Sequence, residues 1–449
     1  MKGPIAIAGA GPAGSLLAIY LARQGYGVTV YESRPDLRRA EIGAGRSINL
    51  ALATRGIVPL VDVGVIDKVN EITIPMRGRM VHAVGDPTPA LQPYGSHEHE
   101  VIHSVSRRDL NAILLDAAEA TGRVTIEFER RLDAIDFDQS LLHFHDGTRE
   151  PFGVVFGADG ANSPIRESII AKGACTFDDE ALGHQYKELT VPAAGNGTYL
   201  LDPLALHIWP RGEFMLIALA NPGGDFTVTL FAPTQTFDTL NSVDEIQSFF
   251  AEHFLEFAAL VPDLETQFVE NPTGKLATVR VSGWSYQDRA VLIGDAAHGI
   301  VPFHGQGMNA AMESVRELDR HLRASPDDLV TAFNAYETER KPNTDAIAEM
   351  ALNNYVEMRA GVVDPAYLAK RTLALELQRR HPSHLSPRYN MVMFSTMPYA
   401  EAQDRATQQG EIIDAALADP SLDVDALISA LPLLPKNDPL ADPRALSTS

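Results

Sequence analysis

Hydrophobic and polar positions along this chain follow two periods that hand over to one another at glycine-rich breaks. Ile5-Ala6-Ile7-Ala8 is a short unbroken apolar run, as expected of a buried parallel strand, and Gly9-Ala10-Gly11-Pro12-Ala13-Gly14 interrupts it. Ser15 to Gln24 then carries helical spacing closed by Gly25, and Val28 to Tyr31 reads as a second strand, which completes a β-α-β unit. The strand-then-break pattern recurs twice. At 154–160, Val-Val-Phe-Gly-Ala-Asp-Gly ends in Asp159-Gly160 and leads through Ala161-Asn162-Ser163-Pro164 into a helix from near Ile165. At 290–298, Ala-Val-Leu-Ile-Gly-Asp-Ala-Ala-His delivers Asp295, and Pro302-Phe303-His304-Gly305-Gln306-Gly307 opens a helix from about Met308 to Leu322. Phe214 to Leu219 and Phe226 to Phe231 alternate with period two and predict paired strands of a second sheet. Met215, Ile217 and Leu219 then share one face, a stripe that ordinary core packing explains equally well. Beyond about residue 340 the pattern is helical.

Size and charge narrow the class. The 449 residues are about three times a typical ~150-residue domain, so two or three packed units are expected. A composition of 45% hydrophobic and 21% charged residues is globular. Thirty-seven Lys and Arg against 59 Asp and Glu give a net charge of −22, which repels phosphate backbones and anionic lipid, so neither nucleic acid nor membrane is an expected partner. Cys175 is the single cysteine, which excludes an intrachain disulfide and fits a reducing cytoplasm. The uncharged stretch between Lys2 and Arg23 is long enough to span a bilayer, but Gly3, Pro4, Gly9, Gly11, Pro12 and Gly14 divide it into a strand-like and a helix-like half. Ser96-His97-Glu98-His99-Glu100 alternates like a metal site on a strand. Without a third ligand group at a recognisable spacing it reads as a solvated loop, and no metal is expected.

The first unit has the chemistry of a dinucleotide site. Gly9 allows the tight turn, Gly11 lets backbone approach a pyrophosphate, and Gly14 permits close helix–strand packing, with the free N–H groups of the helix facing the anion. Glu32, 23 residues after Gly9, is placed to accept a ribose hydroxyl and would oppose a 2′-phosphate, so the unit fits FAD or NAD without separating them. Asp295 at a strand end can hold a ribityl hydroxyl, and the Gly305–Gly307 loop with the following helix N-terminus can stabilise negative charge on a reduced flavin.

Together the three segments resemble the aromatic-ring hydroxylases of the p-hydroxybenzoate hydroxylase class. In that class the first motif holds the FAD pyrophosphate, the Asp-Gly motif serves FAD and transient NADPH, and the Gly-Asp motif holds the ribityl chain. No second GxGxxG appears, in keeping with that class. A denser resemblance, from residue 4 to about 402, is to the kynurenine 3-monooxygenase family. It is carried by Gly45-Arg46-Ser47-Ile48-Asn49-Leu50-Ala51-Leu52, Met76-Arg77-Gly78-Arg79-Met80, Leu91-Gln92-Pro93-Tyr94-Gly95, Tyr186-Lys187-Glu188-Leu189, Ala205-Leu206-His207-Ile208-Trp209-Pro210, Val301 to Asn309, Ala351 to Met358, and Pro387-Arg388-Tyr389.

The resemblance implies an α/β fold. A Rossmann-like FAD-binding domain would be assembled from discontinuous segments 1–70, 100–178 and 275–340, with a mixed-sheet substrate domain at 71–99 and 179–274. A C-terminal helical region, 341–449, would cover the substrate site and lacks the apolar membrane helix of eukaryotic members. Tightly bound FAD, transient NADPH and O₂ as co-substrate are implied, with Gly9, Gly11, Ala13, Gly14, Glu32, Arg34, Arg46, Arg107, Asp159, Gly160, Asp295, Gly305, Gly307, Met308 and Asn309 as cofactor residues. The substrate implied is L-kynurenine, hydroxylated at its 3-position through a C4a-hydroperoxyflavin in a cytoplasmic monomer or homodimer. Arg79 and Tyr94 match the family's carboxylate contacts, and Asn354 and Tyr389 its further polar contacts. Read without the resemblance, Arg79 is a surface ion pair and the other three are half-buried hydrogen-bonding groups. Ile102, Leu206, Met215, Ile217, Leu219, Phe231, Pro302, Phe303, His304 and Met358 fall to the ring and flavin edge. No residue is expected to act as an obligatory acid or base, and His304 is assigned a positioning role.

Two positions depart from the family pattern: Asn353 stands where Glu is usual, and Met393 where a smaller hydroxyl residue is expected. Either could reshape the slot, which keeps a ring-substituted kynurenine as an alternative substrate. A flavin-dependent oxidase or reductase, or a non-catalytic flavin sensor, would keep the three FAD motifs without needing the Arg79 and Tyr94 clamp.

Overall fold

The computed structural model describes residues 1, 3–39, 49–95, 97, 100–359 and 361–436. Arg46, and Ser96, Glu98 and His99 of the alternating His/Glu segment, lie outside the described residues.

The apolar runs assemble into a six-stranded sheet in the order Ser285–Tyr286, Ala290–Leu292, Val154–Gly157, Ile5–Ala8, Val28–Tyr31, Val124–Glu127. All neighbours are parallel except the first pair. Helices cover this sheet, so its central strands are buried on both faces, which is why they read as unbroken hydrophobic runs. The register has a direct consequence for the chemistry. Ala8 pairs with Gly157 and Gly157 with Leu292, so strands separated by more than a hundred residues end side by side. Their three carboxyl ends launch the Gly9, Asp159 and Asp295 segments into one crevice, where open α/β sheets bind ligands.

The uncharged N-terminal stretch is divided between the strand Ile5–Ala8 and the helix Pro12–Arg23, both in this core. Among the described residues no helix is long and apolar enough to cross a membrane.

A second, seven-stranded sheet runs Thr273–Val281, Phe177–Val191, Phe226–Pro233, Phe214–Ala220, Leu206–Arg211, Gly78–Val81, Ala90–Pro93. The period-two stripe divides as the alternation requires. Leu216, Ala218 and Ala220 pack with Trp209, Phe226 and Phe250 under the helix Val243–His253, while Met215, Ile217 and Leu219 face Phe231 and Phe303 on the other side.

Above that second face lies the C-terminal region. Leu329–Arg359 is one helix of 31 residues running through position 340, followed by Pro365–Arg380, Arg388–Met393, Tyr399–Ala418 and Val424–Ser429. Met391, Val392, Met393, Met397 and Tyr399 are buried in the same cluster as Met215, Phe231 and Phe303. At about 1.5–3 kcal/mol for each large apolar side chain removed from water, these residues alone supply several kcal/mol of docking.

Candidate active site

The first glycine turn is built by close approach. Gly9 has φ +93°, and a β-carbon there would stand 2.3 Å from the carbonyl oxygen of Ala158. A β-carbon on Gly14 would stand 1.9 Å from the carbonyl oxygen of Gly9. Gly11 differs: nothing lies within 4 Å of the equivalent position, and the residue lines the cavity described below. Pro12 opens the helix, where its missing N–H forfeits no intrahelical bond, and no side chain caps the helix. Glu32 is buried and accepts hydrogen bonds from the Ala10 amide at 2.9 Å and from the Arg34 amide and Nε at 3.0 and 2.8 Å. Burial works against its charge, but the Arg34 guanidinium and these amides outweigh it and hold the carboxyl below its ordinary value. The Arg34 side chain is 63% exposed and committed to Glu32, outside the cavity wall.

One cavity of about 510 Å³ joins the ends of the three strands to the second sheet. Of the cofactor residues named above, Gly11, Ala13, Arg107, Gly160, Asp295, Gly305, Gly307 and Met308 line it. Asp295 is open to the cavity yet enclosed by protein, and this burial raises its pKa against the pull of Arg107. Asp159 stands behind the wall: Oδ2 accepts from the Ile165 amide at 3.3 Å, and Oδ1 is buried without a partner. Arg166 ties this loop to the Asp295 helix by donating to the carbonyls of Ala161 and Ala296 at 2.5 and 3.1 Å.

The Asn309 side chain is spent on protein backbone, which leaves only its first-turn amide for a cofactor. It donates to the carbonyls of Ala51 and Gly305 at 2.8 Å and accepts from the Ala53 amide at 2.9 Å, which locks the loop at the head of its helix.

These groups fit a flavin dinucleotide. The turn at Gly11 admits backbone to an anion, the first turn of Gly307–Ala324 has no side-chain cap, Asp159 Oδ1 is an unsatisfied acceptor, and Arg107 and Asp295 project into the cavity.

Asp159 also yields a pH signature for the flavin-free protein. Burial raises its pKa from 3.8 to about 6. Ionisation therefore opposes folding: the penalty is absent below the lower value, grows between the two, and is complete above the upper one. Asp159→Asn is expected to raise the melting temperature at pH 7 to 8, with the gain shrinking as pH falls from 6 toward 4. Thermal denaturation across that range checks it.

At the other end of the cavity Arg79, Ile102, Leu206, Met215, Ile217, Leu219, Phe231, Pro302, Phe303, His304, Met358 and Tyr389 all line the wall. Tyr94 and Asn354 stand immediately behind. Tyr94, Tyr389 and His304 form a stack, with ring centroids 5.0 Å and 5.4 Å apart, and the Arg79 guanidinium lies 4.9 Å from the Tyr389 ring centroid. Burial raises both phenols. Asn354 holds the wall in place: its Nδ2 donates to the Phe303 carbonyl at 2.7 Å, and its Oδ1 lies 3.5 Å from Arg79 Nη2.

Arg79 is not the surface ion pair that its sequence context alone suggests. It is 5% exposed and pairs with Glu357 at 3.1 Å, while its Nε is buried without a partner. Burial disfavours the Arg79 charge, but Glu357 and the surrounding phenols outweigh it, so the guanidinium stays protonated. Glu357 accepts in addition from Tyr367 at 2.7 Å and Arg388 at 3.2 Å. Glu357, Tyr367 and Arg388 escaped the sequence reading; the signal was the helical spacing of Asn354, Glu357 and Met358, which puts the three on one face.

His304 is buried, neither ring nitrogen has a partner, and burial with the nearby Arg388 and Arg79 lowers its pKa to about 3. Tyr186, Glu188 and Lys275 also line the cavity, a consequence of strand alternation that turns Lys187 to the opposite face, where it donates to the Asn271 carbonyl.

Neither departure from the family pattern reaches the slot. Asn353 is exposed on the outer face of its helix, and Met393 is fully buried behind the wall with its sulfur 2.9 Å from Gln306 Nε2. Of the alternating His/Glu stretch, only His97 and Glu100 are described, and Glu100 is buried. Glu100 is 8% exposed and accepts from the His97 amide and Asn390 Nδ2, both at 2.9 Å, which ties Glu100 to the helix Arg388–Met393.

Comparison with known proteins places this geometry among flavoenzymes. The family described as FAD binding domain matches residues 2–351. The chain is 48% identical over 420 residues to the kynurenine 3-monooxygenase of Stenotrophomonas maltophilia, covering 92% of each. It is 43% identical over 428 residues to the kynurenine 3-monooxygenase of Myxococcus xanthus, covering 93% of this chain and 90% of that one. Among solved structures, 2-methyl-3-hydroxypyridine-5-carboxylic acid oxygenase superposes with a TM-score of 0.67 at 21% identity, over 82% of this chain and 96% of that one, a likeness of fold.

Proposed function

The chain belongs to the kynurenine 3-monooxygenase family of FAD-dependent monooxygenases, and from that premise we propose that it hydroxylates the aromatic ring of L-kynurenine at the 3-position, with NADPH as reductant and O₂ as oxidant. One observation carries the reading: a single cavity has a flavin cradle at one end and a buried arginine with an unsatisfied donor at the other, with apolar walls between.

Bound FAD supplies the chemistry of passing reducing equivalents from NADPH to O₂, one oxygen atom going to the ring and the other leaving as water. The balance is one kynurenine, one O₂, one NADPH and one proton, giving hydroxykynurenine, water and NADP⁺.

The residues of the chain bind and orient. Arg79 and Arg388 outnumber Glu357, so this end of the cavity keeps surplus positive charge for a substrate carboxylate, and Arg79 Nε is the free donor. The ring slot is walled by Leu206, Met215, Ile217, Leu219 and Phe231, with Phe303 set edge-on to Phe231 at 4.9 Å and stacked on Tyr355 at 3.8 Å. Such a wall excludes water that would divert the oxidant. A neutral His304 whose conjugate acid has a pKa of about 3 is a poor base, and the aniline nitrogen already enriches the ring, so His304 serves as a surface against Tyr389.

The test is an assay of the purified flavoprotein with NADPH, air and L-kynurenine. NADPH consumption should rise on adding kynurenine, and mass spectrometry should find product heavier by one oxygen. Consumption indifferent to kynurenine, with no oxygenated product, would leave an oxidase or reductase as the better description.

A further inference from the structure

Gln306 lies between the two cavity-lining glycines Gly305 and Gly307, yet its side chain is fully buried and turned the other way. Oε1 accepts from the Tyr399 hydroxyl at 2.6 Å, and Nε2 approaches Met393 Sδ at 2.9 Å. Both polar ends of the amide are thus taken by the C-terminal region. Gln306 stands at the N-cap position of Gly307–Ala324, but its side chain does not cap the helix. No side chain caps the first turn of that helix, its Gly307 and Met308 line the cavity, and the loop leading into it is anchored from behind.

A second link runs in parallel. Tyr399 lies under the Arg55 guanidinium at 3.9 Å, and Arg55 donates to the carbonyls of Val392 and Met397. Arg55 also pairs at 2.7 Å with Glu313, two turns further along the same helix, and Glu313 takes Arg340 at 2.8 Å on its other oxygen. The network is buried, and losing one partner would leave a charge without compensation. Loop and helix are therefore held to the C-terminal region at two points.

We propose that Gln306 is a positioning residue for the pyrimidine edge of the flavin, held in place by Tyr399 and Met393, so that the C-terminal region sets the electronic environment of the cofactor as well as covering the substrate. This rests on the flavin ring lying against Gly305 and Gly307. Backbone donors aimed at a site of developing negative charge stabilise the reduced flavin more than the oxidised one, and that preference falls as the donors drift from their optimum.

Tyr399→Phe removes one hydroxyl and keeps the ring beneath Arg55; Met393→Leu removes the sulfur at similar volume. Each variant is expected to lower the preference of the protein for reduced over oxidised FAD by about 3–10-fold, read as a midpoint potential about 15–30 mV more negative. The flavin absorption bands should shift while FAD stays bound. Tyr20→Phe, a buried phenol of the first-sheet core whose hydroxyl donates to Asp62, controls for stability and should not move the potential. Unaltered potentials in Tyr399→Phe and Met393→Leu, with FAD bound, would overturn the proposal; if one variant fails to fold, the other decides. Failure of the wild-type protein to take up FAD would instead refute the reading of the cavity.

Discussion

Arg79→Ala is expected to weaken L-kynurenine binding by about 10²–10³-fold while leaving FAD in place. Truncating one partner of a buried, charge-assisted pair typically costs 2–5 kcal/mol, and a hundredfold to thousandfold loss corresponds to roughly 2.7–4.1 kcal/mol within that range. The fold should survive, because Glu357 retains Arg388 at 3.2 Å and the Tyr367 hydroxyl at 2.7 Å. FAD should stay because its cradle uses the opposite end of the cavity. Arg79→Lys keeps the charge but loses the planar fork, so it should recover only part of the affinity. Titrating substrate against the flavin spectrum, with KM and kcat measured separately, checks both variants. Unchanged affinity in Arg79→Ala would reduce Arg79 to a structural partner of Glu357.

Gly14→Ala should yield protein without flavin and with a lowered melting temperature. The added β-carbon meets the Gly9 carbonyl oxygen at 1.9 Å and the Ala158 β-carbon at 3.3 Å. The nearest obstacle is backbone, so nothing can swing aside and the turn must open, in the class of substitutions that cost more than about 4 kcal/mol. Gly11→Ala is the informative contrast. Its β-carbon meets nothing within 4 Å and the residue lines the cavity, so the apoprotein should melt normally while FAD affinity falls. Flavin absorbance of the purified proteins and melting curves of the flavin-free forms separate the two effects. Flavin retained by Gly14→Ala would mean the turn is looser than the close contact implies.

Several of these features are legible in the sequence, because they depend on a few consecutive residues. The runs Ile5–Ala8, Val154–Gly157 and Ala290–Leu292 are strands wherever they pair, and glycine and proline between run and helix leave the backbone few alternatives. The alternation of Met215, Ile217 and Leu219 likewise placed them on one face of a sheet. The resemblance then attached roles to residues that local pattern leaves ambiguous.

Other features needed the folded chain. That Ala8, Gly157 and Leu292 end in register follows from strand order, a pairing across more than a hundred residues that no window of sequence encodes. Arg79 reads as a surface charge until the helix carrying Glu357 is laid over it, and Met393 reads as part of the slot until its sulfur is found against Gln306. Nothing local to Asn309 tells that Ala51, Ala53 and Gly305 occupy its side-chain amide. Backbone conformation is governed by neighbours along the chain, whereas the partner of a buried charge or amide is whichever group the packing of distant elements brings within about 3 Å. Local order therefore specified the strands, turns and helices of this protein, and only the docking of the C-terminal helices decided which polar side chains reach the cavity and which hold its wall.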